Sequence, residues 1–148
     1  MTAPTHTDRM LFVTIPVADV ERSRAFFEGL GFSFDSAFSG EGAACMRISE
    51  QASVMLGSRE TFAEHSHRPV GDPTAQALAL FSFGVETRED VDRVSAAALA
   101  AGGTEADGAE DHGFMYTRSF FDLDGHGWQI MWMDPAAGQP DAAEAVVG

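Results

Sequence analysis

The chain has 148 residues, 45% of them hydrophobic, and a formal net charge of −14 at pH 7. This length and apolar fraction predict one compact domain that buries a core of its own. The acidic charge argues against nucleic acid and against an anionic membrane surface as partners, because both bind to an excess of Lys and Arg.

The cysteine content and the apolar runs bear on where the protein works. The single cysteine, Cys45, can form no internal disulfide, which fits a reducing cytosol. It lies in an apolar run and is interpreted as a small buried residue rather than a nucleophile. Residues 1–9 lack the apolar core of a signal peptide, and no apolar run approaches the roughly 20 residues that span a bilayer. We therefore expect a cytoplasmic protein.

The first half of the chain predicts the element order βαβββ. Residues 10–17 are apolar and β-branched, which favours a strand. Asp19 can cap the helix predicted over residues 20–30, and Gly31 ends it. Alternating side chains and the turn residues between them predict three more strands, at residues 32–39, 43–49 and 53–58.

The second half repeats that order. Thr87, with Asp90 three residues later, resembles a capping box, and the helix that it begins ends at Gly102. Asp124 and Gly125 predict a hairpin-type turn. The strands predicted in this half are residues 76–85, 104–106, 113–121 and 128–133.

Two copies of βαβββ predict a duplicated α+β module, each copy with a curved sheet backed by one helix. Between them lies a polar segment that carries Pro69 and Pro73 and that is interpreted as a linker or lid. The predicted organisation is a flexible N-terminus at 1–9, a single domain at 10–134 with modules 10–58 and 76–134, the linker or lid at 59–75, and a flexible tail at 135–148.

Two stretches carry a family resemblance, IPVADVERSRAFFEGLGF at residues 15–32 and FFDLDGHGWQIMW at residues 120–132. Together they resemble the glyoxalase/bleomycin-resistance/extradiol-dioxygenase group, also called the vicinal oxygen chelate superfamily, over residues 10–134. The resemblance implies paired βαβββ modules that form a cupped sheet, and frequent homodimers. It also implies a divalent metal held by His, Gln or Glu side chains from the first and last strand of each module.

The four metal positions that the resemblance implies fall on Phe12, Met55, Leu80 and Gln129. Three of these side chains are apolar, whereas divalent cations need imidazole, carboxylate or carbonyl donors. We therefore predict no metal site and no cofactor.

Strand alternation predicts that one face of each sheet meets a helix and that the other lines the cup. The cup would be rich in methionine, which adapts to aromatic or irregular ligands, and Gln129 is interpreted as one of its few polar anchors. Tyr116 and Arg118 share an aromatic strand face that could hold a ligand carboxylate or a dimer partner. The predicted ligand-binding residues are Phe12, Thr14, Met55, Leu80, Ser82, Tyr116, Arg118, Gln129 and Met131.

The favoured hypothesis is a metal-free homodimer that binds or sequesters a small apolar or aromatic molecule, with catalytic residues unknown. One alternative is a metal-dependent lyase, isomerase or dioxygenase with ligands recruited from His65, His67 or His112. A metal-free enzyme and a regulatory module also stay open. So does a closed core in which methionine is only filler and Gln129 bonds to backbone. The acidic cluster Asp122, Asp124 and His126 is interpreted as turn chemistry.

Overall fold

The computed structural model describes residues 9–138. The chain divides into two compact units with a boundary between Gln76 and Ala77, here called the first and the second unit. Each unit holds one four-stranded sheet, so the predicted α+β class with two βαβββ modules is confirmed. No helix within residues 9–138 is both long and apolar enough to cross a bilayer. Most of the two termini predicted to be flexible lies outside the described residues.

The first unit contains a sheet with strand order β1-β4-β3-β2, in which β1 and β4 are parallel and the other pairs antiparallel. Its helix α1 begins where predicted, because the Asp19 side chain accepts a hydrogen bond from the Arg22 amide at 3.1 Å. The elements are β1 Leu11–Val17, α1 Val20–Gly29, β2 Ser33–Gly40, β3 Ala43–Arg47, β4 Ala52–Ser58 and α2 Arg59–Ser66.

The core of the first unit lies between α1 and one face of the sheet. Phe26 and Phe27 on α1 are buried with their ring centroids 4.9 Å apart. The sheet side chains buried with them alternate along the strands, as expected for one apolar face, and α1 contacts β2, β3 and β4. They include Ile15, Val17, Ala44, Met46, Val54 and Leu56.

The second unit repeats this arrangement with strand order β5-β8-β7-β6. Thr87 caps α3 as predicted, since its hydroxyl accepts from the Asp90 amide at 3.0 Å. Val91, Val94 and Ala98 on α3 are buried, which confirms their helical spacing. The elements are β5 Leu80–Gly84, α3 Arg88–Ala100, β6 Thr104–Asp111, β7 Met115–Phe121 and β8 Gly127–Met133, followed by a 3₁₀ turn at Pro135–Gly138.

Several element ends differ from the predicted ones by one or two residues, and three segments differ more. The segment predicted as linker or lid begins with helix α2. Strand β5 is half the predicted length, because the chain from residue 76 to residue 79 stays outside the sheet. Strand β6 is longer than predicted, because it pairs with β7 through its backbone while all eight of its side chains remain exposed. A strand of this kind carries no apolar alternation that a sequence could reveal.

The turn between β7 and β8 is organised by Asp122, as the turn interpretation predicted. One carboxylate oxygen accepts from the amides of Asp124 and His126 at 2.9 and 3.0 Å, and the other accepts from the Trp128 indole N–H at 2.9 Å. Gly125 adopts a φ of +99° in this turn, which favours glycine. Burial raises the pKa of Asp122, with its N–H partners opposing that effect.

Replacing Asp122→Asn should lower the free energy of unfolding by about 1–3 kcal/mol, because the new amide faces the Trp128 indole N–H donor to donor. Because the pKa of Asp122 is raised, the folded state binds more protons than the unfolded state at pH values just above the ordinary aspartate pKa. The contribution of Asp122 to stability therefore falls as pH rises through that interval, and the loss on substitution should be larger near pH 4 than at pH 7. Urea denaturation of wild type and variant at pH 4 and at pH 7 measures this difference in the free energy of unfolding.

The exposed aspartate Asp107 provides the control, and Asp107→Asn should change stability little at either pH. A loss for Asp122→Asn that is equal at the two pH values would contradict a raised pKa of Asp122 in the folded state.

Candidate functional site

Helix α2 packs on the face of the first sheet that lies opposite α1. It contacts β1 and β4, and an open cavity of about 490 Å³ lies between the helix and the sheet. Sites for small molecules are commonly about 300–1,000 Å³. The sheet contributes Thr14, Ala43, Met55 and Gly57 to the cavity wall, and α2 contributes Thr61, Phe62, His65 and Ser66.

The position of α2 is fixed by contacts at its first turn. Ser58 caps the helix by accepting from the Thr61 amide at 3.1 Å, and its hydroxyl donates to the Thr61 hydroxyl at 2.9 Å. The Ser58 amide donates to the Gly42 carbonyl at 2.8 Å. Gly42 adopts a φ of +77°, and a Cβ atom there would lie 2.5 Å from Thr61 Oγ1. Glycine at position 42 therefore permits the close approach of α2 to the β2–β3 turn.

A second tether connects α2 to the chain that follows it. The Arg59 guanidinium donates to the carbonyls of Gly71 and Val70 at 3.1 and 3.3 Å. His67 ends the helix in the left-handed conformation with a φ of 59°. Residues 59–71 thus form a closed loop with its own helix rather than an extended linker.

The cavity wall combines apolar groups with a few polar ones. Met55 and Phe62 are its largest apolar side chains, and three hydroxyl groups and one imidazole make up its polar part. His65 Nδ1 lies 2.9 Å from the Thr61 carbonyl oxygen, so Nδ1 carries the proton and Nε2 has the lone pair in the neutral ring. Among residues 9–138, no lysine, arginine or carboxylate lines the cavity.

The substitution Gly42→Ala should detach α2 from the turn, because the new methyl group collides with Thr61 and the left-handed backbone disfavours alanine. We expect a loss of roughly 1–3 kcal/mol in the free energy of unfolding and faster amide hydrogen exchange in residues 59–66. Gly40→Ala is the matched control in the same turn, since a methyl group there would have no atom within 4 Å and the φ of Gly40 is not positive. Equal exchange in both variants would contradict this role of Gly42.

The predicted site residues of the second unit fall on two different faces of its sheet. Leu80, Ser82, Gln129 and Met131 share the face opposite α3, where the Ser82 hydroxyl donates to Gln129 Oε1 at 3.3 Å. Leu80 is 76% exposed. Gln129 therefore pairs with a side chain rather than with backbone, unlike in the closed-core alternative.

Tyr116 and Arg118 lie on the other face, toward α3, because β7 pairs with β8 so that Arg118 stands opposite Ile130 rather than Gln129. Arg118 bonds to Asp92 at 3.3 Å and to Glu105 at 3.1 Å, and the Tyr116 hydroxyl donates to Asp92 at 2.6 Å. Carboxylates of the protein thus already bind the cation that was predicted to hold a ligand carboxylate. The structure does not bring these two residues together with Gln129.

Protonation in this network follows its hydrogen bonds. The bond to Asp92 raises the pKa of Tyr116, with burial as the second cause. The bond to Glu105 raises the pKa of Arg118. Arg88 covers the Tyr116 ring at 4.7 Å and pairs with Asp111, whose pKa is lowered by the Gly113 amide and then by Arg88. These contacts connect β7 to α3 and β6 through side chains.

Asp92→Asn should lower the pKa of Tyr116 toward its ordinary value, because the neutral amide no longer opposes ionisation of the phenol. The chain has one tyrosine, so tyrosinate absorbance during an alkaline titration reports this residue alone. Asp90→Asn on the same helix is the control, since Asp90 pairs with Arg93 and should leave the titration unchanged. The proposed contact would be contradicted by a Tyr116 titration that is identical in both variants.

The metal site implied by the family resemblance does not fit the residues present. Phe12 and Leu80 have no donor atom, Met55 offers a soft thioether, and Gln129 Oε1 already accepts from Ser82. Within residues 9–138, no three His, Cys, Asp or Glu side chains come together in a way that could hold a metal ion. A structural or catalytic zinc site needs about three or four such ligands.

Of the predicted site residues in the first unit, two line the cavity and one does not. Thr14 and Met55 line the cavity, whereas Phe12 lies on the same sheet face outside it, with its ring 5.8 Å from that of Phe38. Cys45 is buried, as predicted. The residues of α2 were missed as binding residues, although Ser58 followed by helix-forming residues was a signal for a capped helix.

Comparisons with known proteins agree with this fold. The sequence profile of the Glyoxalase/Bleomycin resistance protein/Dioxygenase superfamily matches residues 9–130, which confirms the predicted resemblance. No curated protein sequence matches the chain.

Several solved structures are similar to the chain. A hypothetical protein from S. aureus is 26% identical, with a TM-score of 0.73 over 82% of this chain and 92% of that protein. A glyoxalase/bleomycin resistance protein/dioxygenase family enzyme from Burkholderia phytofirmans PsJN is 20% identical, with a TM-score of 0.68 over 82% of this chain and 96% of that one. A glyoxalase-related enzyme from Fulvimarina pelagi is 19% identical, with a TM-score of 0.71 over 84% of this chain and 88% of that protein.

Proposed function

We propose a metal-free binding function for this chain, which belongs to the Glyoxalase/Bleomycin resistance protein/Dioxygenase superfamily. Its ligand is a small, largely apolar molecule, held in the cavity between α2 and the first sheet. The observation that carries the proposal is the wall of this cavity, in which Met55 and Phe62 are apolar and no charged side chain of the described chain takes part. Such a wall favours an aromatic or aliphatic surface over a charged one.

Two positions to which the family resemblance assigns metal ligands, Met55 and Gln129, each lie beside a residue with a hydroxyl group. The comparison of these two pairs supports the first unit as the binding unit. In the first unit Thr14 stands beside Met55, and in the second unit Ser82 stands beside Gln129. The Ser82 hydroxyl donates to Gln129, whereas the Thr14 hydroxyl has no hydrogen-bond partner within residues 9–138. A ligand could therefore bond to Thr14 without breaking an existing contact.

The apolar face of the second unit is a further part of the proposal. Leu80 and Met131 flank the Ser82–Gln129 pair on the face opposite α3, and this surface is proposed as a second place for an apolar ligand. Homodimer formation and a cytoplasmic location stay predictions.

A metal-dependent lyase, isomerase or dioxygenase is the second candidate, because His65 lines the cavity and imidazole is a common metal ligand. His67 lies at the end of the same helix, but His112 belongs to the second unit and faces Glu110 at 3.5 Å. One imidazole in the wall is fewer than the donors that a catalytic metal needs, so this candidate ranks below binding.

Met55→Glu should weaken binding of the neutral fluorescent probe N-phenyl-1-naphthylamine by about tenfold or more, because a carboxylate in the apolar wall must be desolvated. Met55→Leu keeps the volume and should retain the affinity. Leu99→Glu is the matched control, since Leu99 is an exposed side chain on α3. Fluorescence titration measures all three variants beside the wild type.

Elemental analysis of the same preparations tests the metal-free part of the proposal. We expect much less than one divalent metal per chain, and probe affinity that does not change after treatment with a chelator. About one tightly bound metal per chain would overturn the proposal and restore the metal-dependent candidate. Failure of the wild type to bind the probe would overturn it as well.

A further inference from the structure

We infer that the cavity beneath α2 selects neutral molecules that carry a hydroxyl or N–H group, and that Nε2 of His65 accepts the hydrogen bond from that group. The inference rests on the proposed function and specifies the ligand class of the same cavity. Within the described part of the chain, His65 is the only titratable side chain in the cavity wall. The hydrogen bond that its ring already makes therefore determines which ligand group can bind to it.

The hydrogen bond of His65 to its own helix determines the role of its second nitrogen. Nδ1 lies 2.9 Å from the Thr61 carbonyl oxygen, and a carbonyl oxygen can only accept. Nδ1 must then donate, and in the neutral imidazole Nε2 is an acceptor. The two nitrogens are separated by Cε1 and direct their hydrogen bonds along diverging lines, so the Thr61 carbonyl does not occupy Nε2. A ligand that bonds to Nε2 must therefore offer a donor.

The charge of the ligand follows from the rest of the wall. A carboxylate or phosphate would meet no lysine or arginine among the described residues of the cavity, and burying an anion without a partner is costly. The acidic chain, with a formal charge of −14, also repels anions. An ammonium ligand would find no carboxylate among the same lining residues. A neutral donor such as a phenol, an alcohol or an amide N–H satisfies His65 without these costs.

Thr14 offers the second polar contact across the cavity. Its hydroxyl belongs to β1, whereas His65 belongs to α2, so the two groups lie on the two walls of the same cavity. A hydroxyl group both donates and accepts. A hydroxylated aromatic molecule could therefore bond to His65 and receive a hydrogen bond from Thr14 while Met55 and Phe62 contact its ring.

The test compares two probes of similar size, 2-naphthol and 2-methoxynaphthalene, by displacement of N-phenyl-1-naphthylamine or by calorimetry. The methyl ether keeps the apolar rings and the oxygen but has no proton to donate. We expect the wild type to bind 2-naphthol about threefold to tenfold more tightly, as one hydrogen bond implies. His65→Leu should abolish this preference, and His65→Gln should keep part of it through the amide oxygen.

His112→Leu provides a matched control for the loss of an imidazole, and it should keep the wild-type preference because His112 is not part of the cavity wall.

The outcomes separate this inference from the proposed function. Equal affinity for both probes in wild type, unchanged in His65→Leu, would overturn the role of His65 while leaving the apolar cavity intact as a binding site. Binding of neither probe would overturn the proposed function itself. Tighter binding of 2-naphthol that survives His65→Leu would assign the donor contact to another group and refute the inference.

Discussion

Each four-stranded sheet has two faces, but the helix inside a βαβββ unit covers only one of them. In the first unit the second face is covered by α2, which packs on β1 and β4. Two aromatic side chains from opposite edges of the sheet, Phe12 and Phe38, also meet over this face. Cys45 and Ser53 are buried although they lie opposite the α1 side, so this face is covered over its two central strands. The cavity is the space that remains beneath this second helix.

Local sequence signals predicted the parts of the fold that depend on neighbours in the chain. The caps at Asp19 and Thr87 and the turn organised by Asp122 rest on contacts within six residues, and the structure has them. Helix α2 was missed because it has no buried side chain and so no apolar stripe. Its position depends on the fit of Thr61 against Gly42, a contact between distant residues that alternation cannot predict.

The division of the predicted site between two sheet faces has a similar cause. Alternation along β7 placed Tyr116 with Arg118, and both do share a face. Which face they share depends on the register between β7 and β8, and a shift by one residue moves every side chain to the other side. Sequence reasoning had no access to that register. The structure places both residues against the acidic groups of α3 and β6, where Tyr116 bonds to Asp92 and Arg118 bonds to Asp92 and Glu105.

The two units share one strand geometry but differ in the side chain at one position of the last strand. In each unit the first strand runs parallel to the last, and a residue with a hydroxyl stands beside the last-strand position that the family resemblance assigns to a metal ligand. In the second unit that position is Gln129, whose oxygen binds the Ser82 hydroxyl. In the first unit it is Met55, a weak acceptor that leaves the Thr14 hydroxyl for other partners.

An apolar sheet face on which the Thr14 hydroxyl has no hydrogen-bond partner within residues 9–138 is unfavourable for a metal ion but favourable for an organic ring with a polar substituent. Helix α2 adds the aromatic side chain of Phe62 and an acceptor at His65 to the cavity wall. Under the proposed function, part of the binding surface of the first unit therefore comes from a segment outside the βαβββ order, and substitutions in α2 would change the ligand without disturbing the sheet.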